Sequence, residues 1–231
     1  MTGTIVNATA IVLGALAGVA VRRGLPERVS ETVMQGLSLS VILLGIQMAL
    51  QTKNPLIVIG SLVVGGCAGA ALDIEGRLAA FASRLEARVG GNSRSGPALG
   101  RAFITATLVF CVGAMAVLGS IEDGLTGQPR TLFAKSLLDG IASLIFATTM
   151  GIGVLFSAVP VFLYQGTLTL AAGAVQPYLS PWVVAELTAT GGLIIGAIGL
   201  NLLKVSKIRV GNLLPAIFVA ALATIVLERL T

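Results

Sequence analysis

LLDGIASLIFATTMGIGVLFSAVPVFLYQGTLTLAAGAVQPYLSPWVVAELTATGGLIIGAIGLNLL, residues 137–203, contains only two acidic side chains, Asp139 and Glu186, and no basic one. A helix crosses the hydrocarbon core with about 20 mostly apolar residues. This stretch is too long for one crossing and must be cut. Pro160 offers one break, and Gln176, Pro177, Tyr178, Leu179, Ser180 and Pro181 offer another, richer in turn formers. Cutting at both yields spans at 136–158, 159–176 and 182–203. Treating Pro160 as a mere kink merges the first two, since membrane helices tolerate proline.

Working outward, further apolar runs fall at 3–21, 33–50, 55–73, 102–121 and 210–227. The expectation is an all-α polytopic membrane protein of about eight transmembrane helices, built as a single transmembrane domain over residues 1–231. Composition agrees. Of 231 residues, 55% are hydrophobic and 11% charged, and the mean hydropathy is +0.97. A soluble domain carries roughly 25% charged residues, so this chain lacks the polar coat of a soluble globule. Two cysteines do not make a disulfide framework.

The net charge is +5, but the basic residues sit between apolar runs and are not interleaved with stacking aromatics, so nucleic acid is not an expected partner. Positive charge in short loops sets membrane orientation. With eight spans, one side holds Arg22, Arg23, Arg28, Arg77, Arg84, Arg88, Arg94, Arg101, Lys204, Lys207 and Arg209. The other holds Lys53, Arg130, Lys135 and Arg229. Seven spans would weaken the division from eleven against four to nine against six. Eight spans therefore place both termini on the outer side of the membrane. Arg22 and Arg23 follow the first apolar run, which argues against a cleaved signal peptide.

Residues 75–101 form the one long polar connection. Leu78, Phe81, Ala82, Leu85 and Val89 recur at helical spacing among Arg77, Arg84 and Arg88. That pattern predicts a cytoplasmic amphipathic helix at an anionic lipid surface, followed by a flexible linker over 90–97.

Internal echoes point to inverted repeats. GIQMAL (45–50) is matched by GLNLL (199–203), and the Gly-Ala-Leu-Ala at 14–17 by Gly-Ala-Met-Ala at 113–116. Each pair falls in spans of opposite direction, a recurring construction in secondary transporters. Gly14 and Gly18, Gly65 and Gly69, and Gly192 and Gly196 are spaced for close helix approach.

Histidine is absent, removing the commonest general base and metal ligand. No metalloprotease, redox Cys-x-x-Cys, serine-hydrolase or phosphate-loop motif occurs. An enzyme is not expected, nor a metal or cofactor. An ionisable group within a span needs a partner or water, which singles out Asp139 and Glu186. Their neighbours allow a bland explanation: Lys135 stands one turn before Asp139, and Glu186 lies close to a helix start after Pro181. The functional alternative is a cation or proton pathway, with Gln165, Asn201, Gln47, Asn212 and Tyr164 as neutral groups along it. Asn7, Ser143 and several threonines are polar too, and are expected to act mainly as interhelical glue. Cys67 and Cys111 are expected to be small core residues.

Several motifs then resemble one family. They are MQGLSLS (34–40), LDGIAS (138–143), PVFLYQG (160–166), GGLI (191–194) running into GLNLL (199–203), and KIRVGNLLPA (207–216). Together they resemble the YdfK/YqgA-like family of bacterial integral membrane proteins, a domain of unknown function. The resemblance covers nearly the whole chain outside 75–101. It implies a polytopic inner-membrane protein, sometimes labelled a transport protein, and supplies no substrate and no site residues. The expected function is a transporter or channel for a small solute or ion. The alternative is a non-transporting membrane scaffold or sensor partner. Expected partners are the lipid bilayer, a small solute or cation, and further copies of the chain.

Overall fold

The computed structural model describes residues 1–22, 26–77, 80, 96–112 and 114–230. Every regular element among them is helical. In order these are α1 (Thr2–Arg22), α2 (Glu27–Ala49), α3 (Pro55–Ala71), α4 (Gly96–Cys111), α5 (Ala114–Thr126) and α6 (Arg130–Met150). A 3-10 segment, Ile152–Ser157, leads into α7 (Ala158–Leu170), followed by the single turn α8 (Ala172–Val175) and a 3-10 turn Gln176–Tyr178. The chain continues as α9 (Pro181–Leu202), a 3-10 turn Val210–Leu213, and α10 (Pro215–Leu230). Six helical stretches are long and apolar enough to cross a membrane, or seven if the bent pair α4–α5 counts as one; α3 is a shorter apolar helix. The chain is an all-α polytopic membrane protein.

The helices differ from the expected spans in instructive places. The expected helix at 102–121 is two helices, α4 and α5, bent by 58°. The cut expected at Pro160 lies instead at Gly151, whose φ of +84° ends α6. Only glycine enters that region without a Cβ penalty. Pro160 falls in the first turn of α7, where an amide hydrogen is least needed. The turn at 176–181 is where expected. Ser180 caps α9 by accepting from the Val183 N–H at 3.1 Å, with Pro181 as first helical residue. The amphipathic helix and linker expected within 75–101 fall almost wholly outside the described residues, as does Gly113 of the second echo.

The chain divides into two compact units. The first comprises residues 1–37, 76–111 and 115–173. Its central feature is α1 lying along α6, with α4, the 3-10 segment and α7 packed around them. Ile11, Ala15, Leu132, Phe146, Val154 and Val161 fill its core, and Phe110 stacks on Phe146 with centroids 5.8 Å apart. The α1–α6 approach depends on glycine. A Cβ on Gly14 would lie 2.2 Å from both the Gly140 carbonyl oxygen and Ser143 Oγ, and one on Gly18 would lie 2.3 Å from the Leu144 carbonyl oxygen.

The second unit comprises residues 38–75, 112–114 and 174–231. It contains the later part of α2, α3, α9 and α10, with α10 packed against both α3 and α9. The second part of α2 packs on α9 through Gly45, Gly192 and Gly199, and α3 packs on α10 through Gly65 and on the 3-10 turn Val210–Leu213 through Gly69. Buried Val183, Ile194, Ile195, Ile198, Ala216 and Ala220 form its apolar core.

Candidate functional site

In the first unit the buried face of α1 runs Gly3, Thr4, Asn7, Ile11, Ala15 and Gly18, a spacing of three and four residues. The two helices that meet α1 there also bring polar residues at the helical period. α6 contributes Lys135, Ser136, Asp139 and Ser143, and α7 contributes Gln165 and Thr169. An apolar stripe would have sufficed to pack these helices, so the polar content requires its own account.

The Lys135 ammonium lies between the two carboxylate oxygens of Asp139, 2.9 Å from Oδ1 and 2.8 Å from Oδ2. Both residues are under 10% exposed. The spacing i,i+4 on one helix makes the pair, and burial makes it matter, because neither charge has water to fall back on. The Asn7 side-chain amide donates to Asp139 Oδ2 at 3.0 Å and to Gln165 Oε1 at 3.2 Å. A carboxylate only accepts, so Asp139 dictates that Asn7 presents its NH2, and Asn7 in turn dictates that Gln165 presents its oxygen. The relay therefore has one orientation. It leaves two atoms with no hydrogen-bond partner, Asn7 Oδ1 and Gln165 Nε2, although both residues are fully buried.

Polar groups continue along α1 on either side of this layer. One turn toward the start of α1, the Thr4 and Thr169 hydroxyls are 3.4 Å apart. Beyond them Asp123, itself buried, accepts the Gly3 N–H at 3.1 Å and pairs with the Met1 amino group at 2.9 Å. In the other direction, Ser143 spends its hydroxyl on the carbonyls of Ile11 and Gly140. From Gly3 to Ile11 the ladder covers roughly 12 Å at the helical rise.

Of the residues singled out from sequence, Asp139 and Gln165 come together here through Asn7. Tyr164, half-buried, is the neighbour of Gln165 on α7. The pattern of the sequence did not single out Asn7 as the hub or Asp123 as a buried acid. The 3- and 4-residue spacing of Thr4, Asn7 and Ile11 was the available signal for the former.

Glu186, Asn201, Asn212 and Gln47 belong to the second unit, where most of their polar atoms are engaged by turns. Glu186 accepts from the Thr52 hydroxyl at 2.6 Å, the Lys53 N–H at 2.7 Å, the Asn54 N–H at 2.9 Å and Trp182 Nε1–H at 3.0 Å. It holds the turn between α2 and α3, where Asn54 caps α3. Asn201 accepts from the Ser206 hydroxyl and the Ile208 N–H and donates to the Ile208 carbonyl, closing the loop after α9. Asn212 Oδ1 accepts the Glu75 N–H at 2.9 Å, and Glu75 accepts the Gly211 N–H at 3.0 Å. Gln47 is exposed on α2. Ser61, Thr188 and Thr190 are buried hydroxyls without partners. Among the described residues no group of three acidic or cysteine side chains is placed to hold a metal ion.

These bonds make a prediction for Glu186. Replacing it with alanine strands two N–H donors, those of Lys53 and Trp182, at about 1–3 kcal/mol each where they are buried, while the Asn54 N–H keeps Thr52 Oγ1 at 3.2 Å. Glu186→Ala is expected to melt well below the parent in detergent. Glu186→Gln retains one acceptor oxygen and is expected to lose less than half as much. Emission from Trp182, the single tryptophan, should shift in both variants.

An all-α multi-pass membrane protein with a buried, directionally ordered polar relay is the class this fold and cluster define. The chain belongs to the family described as "Protein of unknown function (DUF554)", whose model matches residues 2–225. It is 30% identical over 232 residues to the "Uncharacterized membrane protein YdfK" of Bacillus subtilis (strain 168), covering 99% of this chain and 97% of that protein. It is also 30% identical over 222 residues to the "Uncharacterized protein YqgA" of Escherichia coli (strain K12), covering 94% of each. No solved structure gives a significant match.

Proposed function

We propose that this protein is a transporter or channel for a small solute or ion, and that the path runs through the Asn7–Lys135–Asp139–Gln165 cluster of the first unit. The observation that carries the reading is the pair of fully buried amide atoms left without partners beside a buried ion pair. Polar groups at membrane depth are costly, and such groups commonly line a substrate pathway. A bundle needing only cohesion would have its amides paired.

The inverted-repeat reading also finds support in the second unit. Gly45 packs on Gly192 and Gly196, and Gly199 packs on Ser38 and Ile42. Ser38 to Gly192, Ile42 to Gly196 and Gly45 to Gly199 are one and the same sequence spacing. Exchanging the two helices therefore turns the first pair of contacts into the second, as a two-fold axis between antiparallel helices requires. That spacing also relates GIQMAL to GLNLL, which motivates an inverted duplication of the kind secondary transporters use. The basic-residue asymmetry supports the bacterial cytoplasmic membrane with both termini outside.

The test is flux into liposomes containing the purified protein, measured for inorganic cations, protons and uncharged solutes. Asp139→Asn is expected to reduce the transported species at least tenfold. Glu186→Gln should leave the rate per folded molecule unchanged. Equal rates in the parent and a folded Asp139→Asn variant would remove the cluster from the path. Absence of any flux, with recovery of one stoichiometric protein partner, would favour a scaffold.

A further inference from the structure

The relay that orders the cluster also constrains what it can bind. We propose that Asn7 Oδ1 and Gln165 Nε2 recognise a small uncharged solute that both donates and accepts a hydrogen bond, in the class of simple amides, ureas and water. The inference rests on the transport reading above and narrows its substrate.

Charge decides first. The Lys135 ammonium bridges both oxygens of Asp139, so the one buried anion of the cluster is already matched by a buried cation. A metal cation would have to displace Lys135, and would then gain a single neutral carbonyl from Asn7. An anion would meet one NH2 group and the Asp139 carboxylate beside it. A neutral molecule disturbs neither member of the pair.

Hydrogen-bond valence decides next. Asp139 fixes the Asn7 amide, and Asn7 fixes the Gln165 amide, so neither can flip to satisfy itself. What remains is one carbonyl oxygen, which needs a donor, and one NH2 group, which needs an acceptor. Leaving both unmade in a fully buried place costs their desolvation without return. A ligand offering N–H or O–H to the first and an oxygen to the second satisfies both at once. Acetamide, urea and water have that pair of functions; chloride can only accept from the NH2 and potassium can only be coordinated by the carbonyl oxygen, so neither ion satisfies both.

The surroundings give the site a direction. Toward the start of α1 the Thr4 and Thr169 hydroxyls continue the row of buried polar groups to Asp123. Toward the middle of α1 the polar row stops. Ser143 has its hydroxyl committed to two carbonyls, and Gly14 packs directly on Gly140 and Ser143. A solute would therefore approach Asn7 from the Thr4 side, and the packed contact at Gly14 is the part of the path that would have to open for it to cross.

Stopped-flow light scattering on liposomes containing the full chain tests the proposal with acetamide, urea and water, alongside ion-sensitive dyes for potassium, sodium and protons. Acetamide or urea is expected to cross at least tenfold faster than in protein-free liposomes. Gln165→Met, which keeps the length and removes both polar atoms, should abolish that increment. Gln165→Glu, which keeps the acceptor for Asn7 and replaces the free donor with a second carboxylate oxygen, should abolish it as well, so the test survives failure of either variant to fold. Water crossing rapidly while acetamide and urea are excluded, with the same loss in these variants, assigns the same chemistry to water. Cation or proton flux with no uncharged flux overturns this inference and leaves the transport reading standing. Uncharged flux unchanged in a folded Gln165 variant overturns the site. No flux of any probe overturns both.

Discussion

Lys135→Met is expected to be among the most damaging single changes in the chain, and Lys135→Met combined with Asp139→Leu is expected to undo most of that damage. The Lys135 ammonium and the Asp139 carboxylate are in direct contact and nearly inaccessible. Removing one partner leaves a buried charge uncompensated, which costs about 3–5 kcal/mol. Removing both exchanges two desolvation penalties for two apolar side chains of similar size, which is often neutral or stabilising. The double variant frees the Asn7 NH2 from its carboxylate acceptor, so recovery should be incomplete by about 1–3 kcal/mol. Thermal unfolding in detergent gives the stability order: parent, double variant, single variant. Flux gives a different order. The double variant should fold and still not transport, because Asn7 no longer has a partner that dictates its orientation. A double variant that transports at the parental rate would make the ion pair purely structural.

Much of this architecture is legible in the residues themselves. Apolar runs of span length placed α1, α3 and α9 within about two residues and α2 and α10 within about six, because in lipid the backbone must satisfy itself and helix is what a single segment can form. Ser180 and Pro181 mark the start of α9 because a cap and a first-turn proline act within four residues. The Lys135–Asp139 pair is readable for the same reason, being one helical turn.

The errors concern where several weak signals compete, or where the partner is distant in sequence. Pro160 looks like a stronger break than Gly151, yet proline is harmless in a first turn and glycine is decisive where φ is positive. Nothing local in residues 102–121 announces the bend between α4 and α5. Asp139 and Glu186 look alike on the page, as lone acids in apolar helices. They differ because Glu186 meets the backbone amides of Lys53 and Asn54, and backbone donors leave no mark in a sequence. Asp139 meets Asn7, 132 residues away. Only packing brings Asn7 there, and that packing rests on glycine.

The last large effect therefore concerns Gly14, which bears no polar group and touches no candidate ligand atom. Gly14→Val places a Cβ where the Gly140 carbonyl oxygen and Ser143 Oγ already lie, at 2.2 Å from each. The obstruction includes backbone, so no side-chain rotation can relieve it, and α1 must move away from α6. Overpacking of a close interface costs about 1–3 kcal/mol, occasionally more, so the melting temperature should fall. The functional loss is expected to exceed the stability loss. Asn7 is two turns from Gly14 on the same face of α1, and its bonds to Asp139 and Gln165 are already 3.0 and 3.2 Å long. A displacement of one ångström takes both beyond hydrogen-bonding range. Gly140→Ala is the matched control. A Cβ there would lie 3.4 Å from Ala10, an ordinary contact, and should leave both stability and flux near the parental values. If Gly14→Val proves as active as Gly140→Ala per folded molecule, close approach of α1 to α6 is not what positions Asn7.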